Sequence, residues 1–339
     1  MADKKRVLIV GAGGFIGGVF ASPSNAAGLE RGYDVTCGVR ASTSRRYLAD
    51  PRLKFVTLDF DGDTAAMADA LREAAPWDYI IYNLGATKAV NFLDFNRINF
   101  DYLRRFADAF DVAGLKPVRL IYMSSLSALG PGDEKGYTPI SAATVPDPNT
   151  RYGLSKIKAE SFLESRPDLP WIIFRPTGVY GPHERDYLMM VKAIDSHFDF
   201  GVGFRRQELT FIYVDDLVNA VYDALERAPI HRKYIISEPR SYTQTEFRRI
   251  VADALGRRFV IPVRLPLWAA KMASVVAEKW GALSMKPSTL NRDKFKIMRQ
   301  RNWRCDVSEA VSDWGFAPRV DLREGIARVV EAYRTEKKH

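Results

Sequence analysis

Two short stretches hold residues whose types and spacing can do chemistry. The first reads Tyr152-Gly153-Leu154-Ser155-Lys156. On a helix, positions four apart share a face, so Tyr152 and Lys156 project together. A free phenol, with a pKa of about 10, is a poor base at neutral pH. A neighbouring ammonium favours the phenolate. The pair can then exchange a proton with a substrate alcohol while a nicotinamide exchanges a hydride. Ser124 and Ser125 follow the apolar run Arg119–Met123. A hydroxyl there can hold the substrate oxygen beside the phenol. Tyr152, Lys156 and Ser125 are therefore the catalytic candidates.

The second stretch, Lys4–Gly18, reads KKRVLIVGAGGFIGG. A strand-like run leads into Gly11, Gly14 and Gly17 and then into a helix-like run. Gly11 suits a tight turn, Gly14 a close approach of backbone to a pyrophosphate, and Gly17 close helix–strand packing. This pattern binds dinucleotides. The residue at the end of the second strand selects between cofactors: an acid suits the ribose hydroxyl, an arginine a 2′-phosphate. Arg40 stands there, with Arg45 and Arg46 close behind. The sequence thus predicts NADP(H) over NAD(H).

These stretches need elements to position them. Seven runs read as strands: Arg6–Val10, Tyr33–Val39, Lys54–Leu58, Tyr79–Leu84, Arg119–Met123, Trp171–Phe174 and Lys233–Ile236. Most are continuously apolar, which suits strands covered on both faces and hence a parallel sheet. Their alternation with helical runs predicts an α/β, doubly wound Rossmann domain over residues 1–175. Residues 176–339 read as a smaller, partly helical substrate-binding domain, with 211–237 returning to the sheet. Helices are expected over Asp186–His197, Val214–Arg227, Thr245–Leu255, Leu267–Leu283 and Leu322–Arg334, the last capped by Asp321. Ser22-Pro23-Ser24-Asn25 should interrupt the first helix with an inserted turn.

Composition bounds the rest. The chain has 339 residues, 47% of them hydrophobic, enough for a large core. Its net charge of +9 could signal nucleic acid, but the aromatics do not interleave with Lys and Arg, and no nucleic-acid partner is expected. Cys37 and Cys305 are far apart and read as reduced thiols of a cytoplasmic protein. The four histidines are scattered, so no metal site is expected. The most apolar window, Leu265–Met285, carries Lys271, Glu278 and Lys279, which argues against a transmembrane segment.

Together these motifs resemble the extended short-chain dehydrogenase/reductase family, the NAD(P)-dependent epimerase/dehydratase group. GAGGFIG at 11–17, including Phe15 and Ile16, is similar to its cofactor loop, and SSLSALG at 124–130 to its catalytic-serine segment, with Ser125 at the family position. RPTGVYGP at 175–182, FIYVDDLVNA at 211–220 and WGFAPRVDLREGI at 314–326 extend the likeness over nearly the whole chain. The resemblance implies that Asp59 and Phe60 flank the adenine and that Leu84, Gly85 and Ala86 line the ribose and phosphates. It implies that Lys88 and Asn99 sit near the nicotinamide side and that Pro176 and Val179 contact the nicotinamide. Ser124, Tyr152 and Lys156 are also candidates for binding the cofactor.

Three chemistries share that scaffold. Dehydratases of the group carry an acidic pair after the catalytic hydroxyl, whereas Leu126 and Ser127 follow Ser125 here. A sugar-nucleotide epimerase would need basic groups for a diphosphate, and Arg205 and Arg206 are candidates. The Leu267–Leu283 helix looks more like the 3β-hydroxysteroid dehydrogenase and dihydroflavonol reductase branch, in which an apolar C-terminal region covers a hydrophobic alcohol or ketone. His183 is a further candidate for touching substrate. The leading expectation is an oxidoreductase acting on a secondary alcohol or ketone. The alternatives are the epimerase and a non-catalytic cofactor sensor. A homodimer built on the helices flanking the sheet is common in such families.

Overall fold

A computed structural model of the protein describes residues 4–21, 28–89, 92–283 and 291–338. The expected turn at Ser22–Asn25 lies outside the described residues. The first half alternates strand and helix: β1 (Arg6–Val10), α1 (Phe15–Ala21), β2 (Asp34–Val39), β3 (Lys54–Thr57), α2 (Thr64–Ala74) and β4 (Tyr79–Tyr82). A helical stretch follows, made of α3 (Phe92–Asn96), a π-helical turn Arg97–Asp101 and α4 (Tyr102–Ala113). Then come β5 (Arg119–Met123), α5 (Arg151–Glu164) and β6 (Trp171–Pro176).

The second half begins with β7 (Gly178–Tyr180), α6 (Arg185–Asp195), β8 (Phe198–Val202), β9 (Glu208–Leu209) and β10 (Phe211–Tyr213). It continues with α7 (Val214–Arg227), β11 (Arg232–Ile236), β12 (Tyr242–Thr243), α8 (Gln244–Leu255) and β13 (Ile261–Leu265). Four helices, α9 (Leu267–Leu283), α10 (Arg292–Arg299), α11 (Ser308–Trp314) and α12 (Leu322–Lys338), complete it.

Seven strands form one parallel sheet in the order β11-β6-β5-β4-β1-β2-β3. This is the doubly wound Rossmann arrangement. The chain reverses direction across the sheet between β1 and β4, and ligands bind at such a switch point, beyond the strands' carboxyl ends. The continuous apolar runs have their physical reason here: Val7, Leu8, Ile9 and Val10 are all fully buried. One face packs with Phe20, Leu217 and Trp314, the other with Leu71, Phe106 and Leu163. Of the segment 211–237, α7 packs on the sheet and β11 pairs with β6, whereas β10 pairs with β7 in a separate two-stranded ribbon. A third apolar cluster joins Val191 of α6, Phe247 of α8 and Val329 of α12. Asp321 does cap α12, accepting the Glu324 N–H at 2.8 Å. No helix among the described residues is long and apolar enough to cross a membrane.

Candidate active site

The loop after β1 is built by steric necessity. Gly11 has φ +87°, and a Cβ there would fall 2.7 Å from the Leu84 backbone beyond β4. A Cβ on Gly17 would lie 2.2 Å from the Gly11 carbonyl oxygen. Gly14 differs: it is exposed, and a Cβ would meet only the Gly11 oxygen, at 3.7 Å. The protein therefore does not demand glycine at 14, and its open side suits a ligand's close approach. Phe15 lies by Gly181, whose added Cβ would sit 3.4 Å from the ring, and Ile16 packs on the core.

Around this crevice the candidate residues fare differently. Arg40 is exposed at the end of β2, and its backbone is fixed by a turn: its N–H donates to Thr43 Oγ1 at 3.0 Å. Asp59 is exposed, but its carboxylate already accepts the Asp61 and Gly62 N–H groups at 3.1 Å each. The Phe60 ring is buried against Tyr102, centroids 5.0 Å apart, which leaves its backbone rather than its ring for an adenine. Leu84, Gly85 and Ala86 cross the switch point. Asn99 clamps them: its Oδ1 accepts the Ala86 N–H at 2.8 Å, and its Nδ2 donates to the Ala86 carbonyl and to Ser155 Oγ. That side chain is fully buried, so Asn99 shapes the loop from beneath. Lys88 is turned away into an ion pair with Asp186 at 2.6 Å. Pro176 ends β6, and Val179 of β7 packs partly on the core.

The helix α5 brings Tyr152 and Lys156 to one face. Thr150 caps it, its Oγ1 accepting the Gly153 N–H at 3.0 Å. Lys156 is 3% exposed; its Nζ donates to the Met123 carbonyl at 2.7 Å and lies 6.0 Å from the Tyr152 ring centre. Burial pushes the ammonium down to about 7. Burial likewise pushes the Tyr152 phenol up to about 12, opposed by a hydrogen bond with Ser125. At neutral pH the phenol keeps its proton and is poised to donate it. Ser125 Oγ also accepts the Ser127 N–H at 3.2 Å. Ser125, Tyr152 and Lys156 are thus brought together, but the phenol is not lowered by the ammonium as the four-residue spacing suggests: burial raises it, and Ser125 is the group that opposes the rise.

Ser124 is not part of that group. Its hydroxyl donates to Glu160, which is fully buried and ion-paired to Arg175 at 2.6 Å. Neither Glu160 nor Arg175 was singled out from the sequence. The spacing offered a signal: Glu160 lies four residues past Lys156, on the same helix face.

The C-terminal helices reach the start of α5. The Arg151 N–H and guanidinium bond Asp293 of α10, and the guanidinium also bonds Glu278 of α9 at 3.0 Å. Beside this anchor lies a cleft of about 560 Å³, lined by Asn149, Leu267, Trp268, Val275 and Phe295 together with Lys271, Arg292, Lys296 and Arg299. Arg206 is spent on Glu208, and His183 faces Glu336 at 3.0 Å. Arg205 is exposed.

Comparison with known proteins agrees with this geometry. Residues 7–237 match the model of the NAD dependent epimerase/dehydratase family. The chain belongs to that family. It is an NAD(P)-dependent enzyme of the extended short-chain dehydrogenase/reductase type. Family relatives include ceramide reductase of Caulobacter vibrioides, 26% identical over 97% of this chain and 94% of that protein. The probable UDP-glucuronate 4-epimerase of Rhizobium meliloti is also 26% identical, over 97% of this chain and 96% of its own. Among solved structures, UDP-glucose 4-epimerase of Thermotoga maritima, crystallised with UDP-glucose, shares the fold with a TM-score of 0.75 at 20% identity, covering 98% and 99% of the two chains.

Proposed function

We propose that this epimerase/dehydratase-family enzyme is an NADP(H)-preferring reductase of an apolar ketone, or oxidant of the matching secondary alcohol. The observation that carries this reading is the convergence of Ser125, Tyr152 and Lys156 at the carboxyl edge of the sheet. The open side of Gly14 and the exposed Arg40 fit the phosphates of a dinucleotide. When bound, the nicotinamide supplies or accepts the hydride. Ser125 orients the substrate oxygen. Tyr152 donates its proton to that oxygen as the alcohol forms, and Lys156 holds charge close to the phenol. Residues 176–339 act mainly as the substrate domain, with α9 and α10 bonded to the start of α5 through Arg151.

The apolar wall of the cleft, Leu267, Trp268, Val275 and Phe295, favours a hydrophobic substrate. Similarity to a ceramide reductase supports the same choice. One observation favours a second reading: the four basic side chains of that cleft could take the diphosphate of a sugar nucleotide, as an epimerase requires. Incubating the enzyme with NADPH and a long-chain ketone separates the two. Cofactor oxidation matched one-to-one by alcohol is expected. Interconversion of sugar-nucleotide epimers without net change in cofactor would overturn the reductase reading.

A further inference from the structure

Trp268, Met272, Val276 and Trp280 follow one another four residues apart along α9, and each is between 62% and 74% exposed. That spacing sets them in one outward stripe about 18 Å long. The inward side holds small residues: Ala270 packs with Val202 and Phe295, and Ser274 is fully buried. Small apolar groups inside and large ones outside blur the sequence periodicity, so the sequence carries only a modest amphipathic signal for this face. The chain just before α9 continues the apolar surface. β8 and β13 pair in register, and their Phe198, Phe200, Ile261 and Leu265 are 40–55% exposed. Exposed apolar surface on this scale marks a docking site.

Charge says what docks there. Lys271 and Lys279 stand on and beside the stripe, both exposed, and neither joins an ion pair among the described residues. The acid of α9, Glu278, is already bound to Arg151 and to the Arg292 N–H. The face is therefore apolar with uncompensated positive charge. A two-fold pairing of copies through it would set those lysines near their own counterparts, with no free carboxylate on α9 to offset them. Tryptophan and lysine on one apolar helix face suit a lipid headgroup region, where ring N–H and ammonium stay wet and the rest is buried.

We propose that α9 docks the protein onto an anionic lipid bilayer, lying in the plane of the interface with Met272, Val276 and Trp280 turned into it and Trp268 at the border between that face and the cleft. This holds whatever the enzyme reduces. If the substrate is apolar, as read above, the cleft lined by the same helix would receive it from the bilayer.

Flotation of the full-length protein with vesicles tests the proposal. Binding to phosphatidylcholine mixed with phosphatidylglycerol should exceed binding to phosphatidylcholine alone by about tenfold and weaken with salt. Val276→Asp/Trp280→Ser should reduce binding about tenfold or more with an unchanged melting temperature. Lys271→Glu/Lys279→Glu, which keeps the apolar stripe, should also lose about tenfold on the mixed vesicles. Absence of flotation, flotation of either variant equal to that of the unaltered protein, or a stripe-dependent dimer in sedimentation without vesicle binding would overturn it.

Discussion

Lys156 and Glu160 occupy successive turns of one face of α5, both buried; burial lowers the Lys156 pKa, and the Glu160 carboxylate opposes that by favouring the ammonium. Glu160 is itself fixed by Arg175 and by the Ser124 hydroxyl. The helix that presents Tyr152 is therefore tied to β5 and β6 by one buried charged cluster. Low dielectric makes such a cluster strong when complete and costly when broken.

Glu160→Gln leaves Arg175 buried without its carboxylate. Chemical unfolding should show a loss of about 3–5 kcal/mol. The double variant Glu160→Gln/Arg175→Met removes both charges and should regain most of it. Equal instability of the two variants would mean that the ion pair is not what Glu160 supplies.

Lys156 titrates near 7 in the folded protein against an ordinary 10.5, because burial disfavours its charge. The folded value lies below the unfolded one, so burying Lys156 costs stability fully below pH 7, and the cost fades as pH rises toward 10.5. Lys156→Met should thus raise the melting temperature at pH 6, with the gain shrinking toward pH 10. Against the lost bond to the Met123 carbonyl, the net gain at pH 6 is roughly 1–2 kcal/mol. A melting-temperature difference independent of pH would contradict the burial argument.

Two glycine substitutions should part company. Gly17→Ala drives a Cβ into the Gly11 carbonyl and should lower both stability and cofactor affinity. Gly14→Ala meets no protein atom closer than 3.7 Å, so its melting temperature should stay close to that of the parent. Its dissociation constant for NADPH should still rise by about tenfold or more, since the methyl occupies the ligand's side of the loop. Calorimetric titration and thermal unfolding of the two proteins check this.

Arg40 is exposed at the end of β2 with its backbone fixed, which leaves the guanidinium to meet a 2′-phosphate. Arg40→Ala should weaken NADPH binding by about ten- to thirtyfold and leave NADH binding within a factor of about two. Equal losses for both cofactors would put Arg40 on the adenine rather than on a phosphate.

Much of this architecture was legible in the sequence because it rests on local patterns. Val7–Val10 and Ile80–Tyr82 are apolar without alternation since helices cover both faces. The glycine loop and Tyr152–Lys156 carry their geometry in their spacing. What stayed hidden depends on distant partners. Nothing near Ser124 tells that its hydroxyl turns to Glu160 rather than into the crevice. Lys88 is withdrawn by Asp186, 98 positions away, and Arg151 by Asp293, 142 positions away. The β8–β13 pairing escaped because Phe198 and Phe200 face outward and give no core signal.

The most direct test of the account is the steady-state rate of Tyr152→Phe with NADPH and a ketone substrate, measured beside its NADPH affinity. Loss of turnover by about three orders of magnitude, with the dissociation constant unchanged within about threefold, is expected when only the proton donor is removed. Turnover close to that of the unaltered enzyme would contradict the assignment of Tyr152.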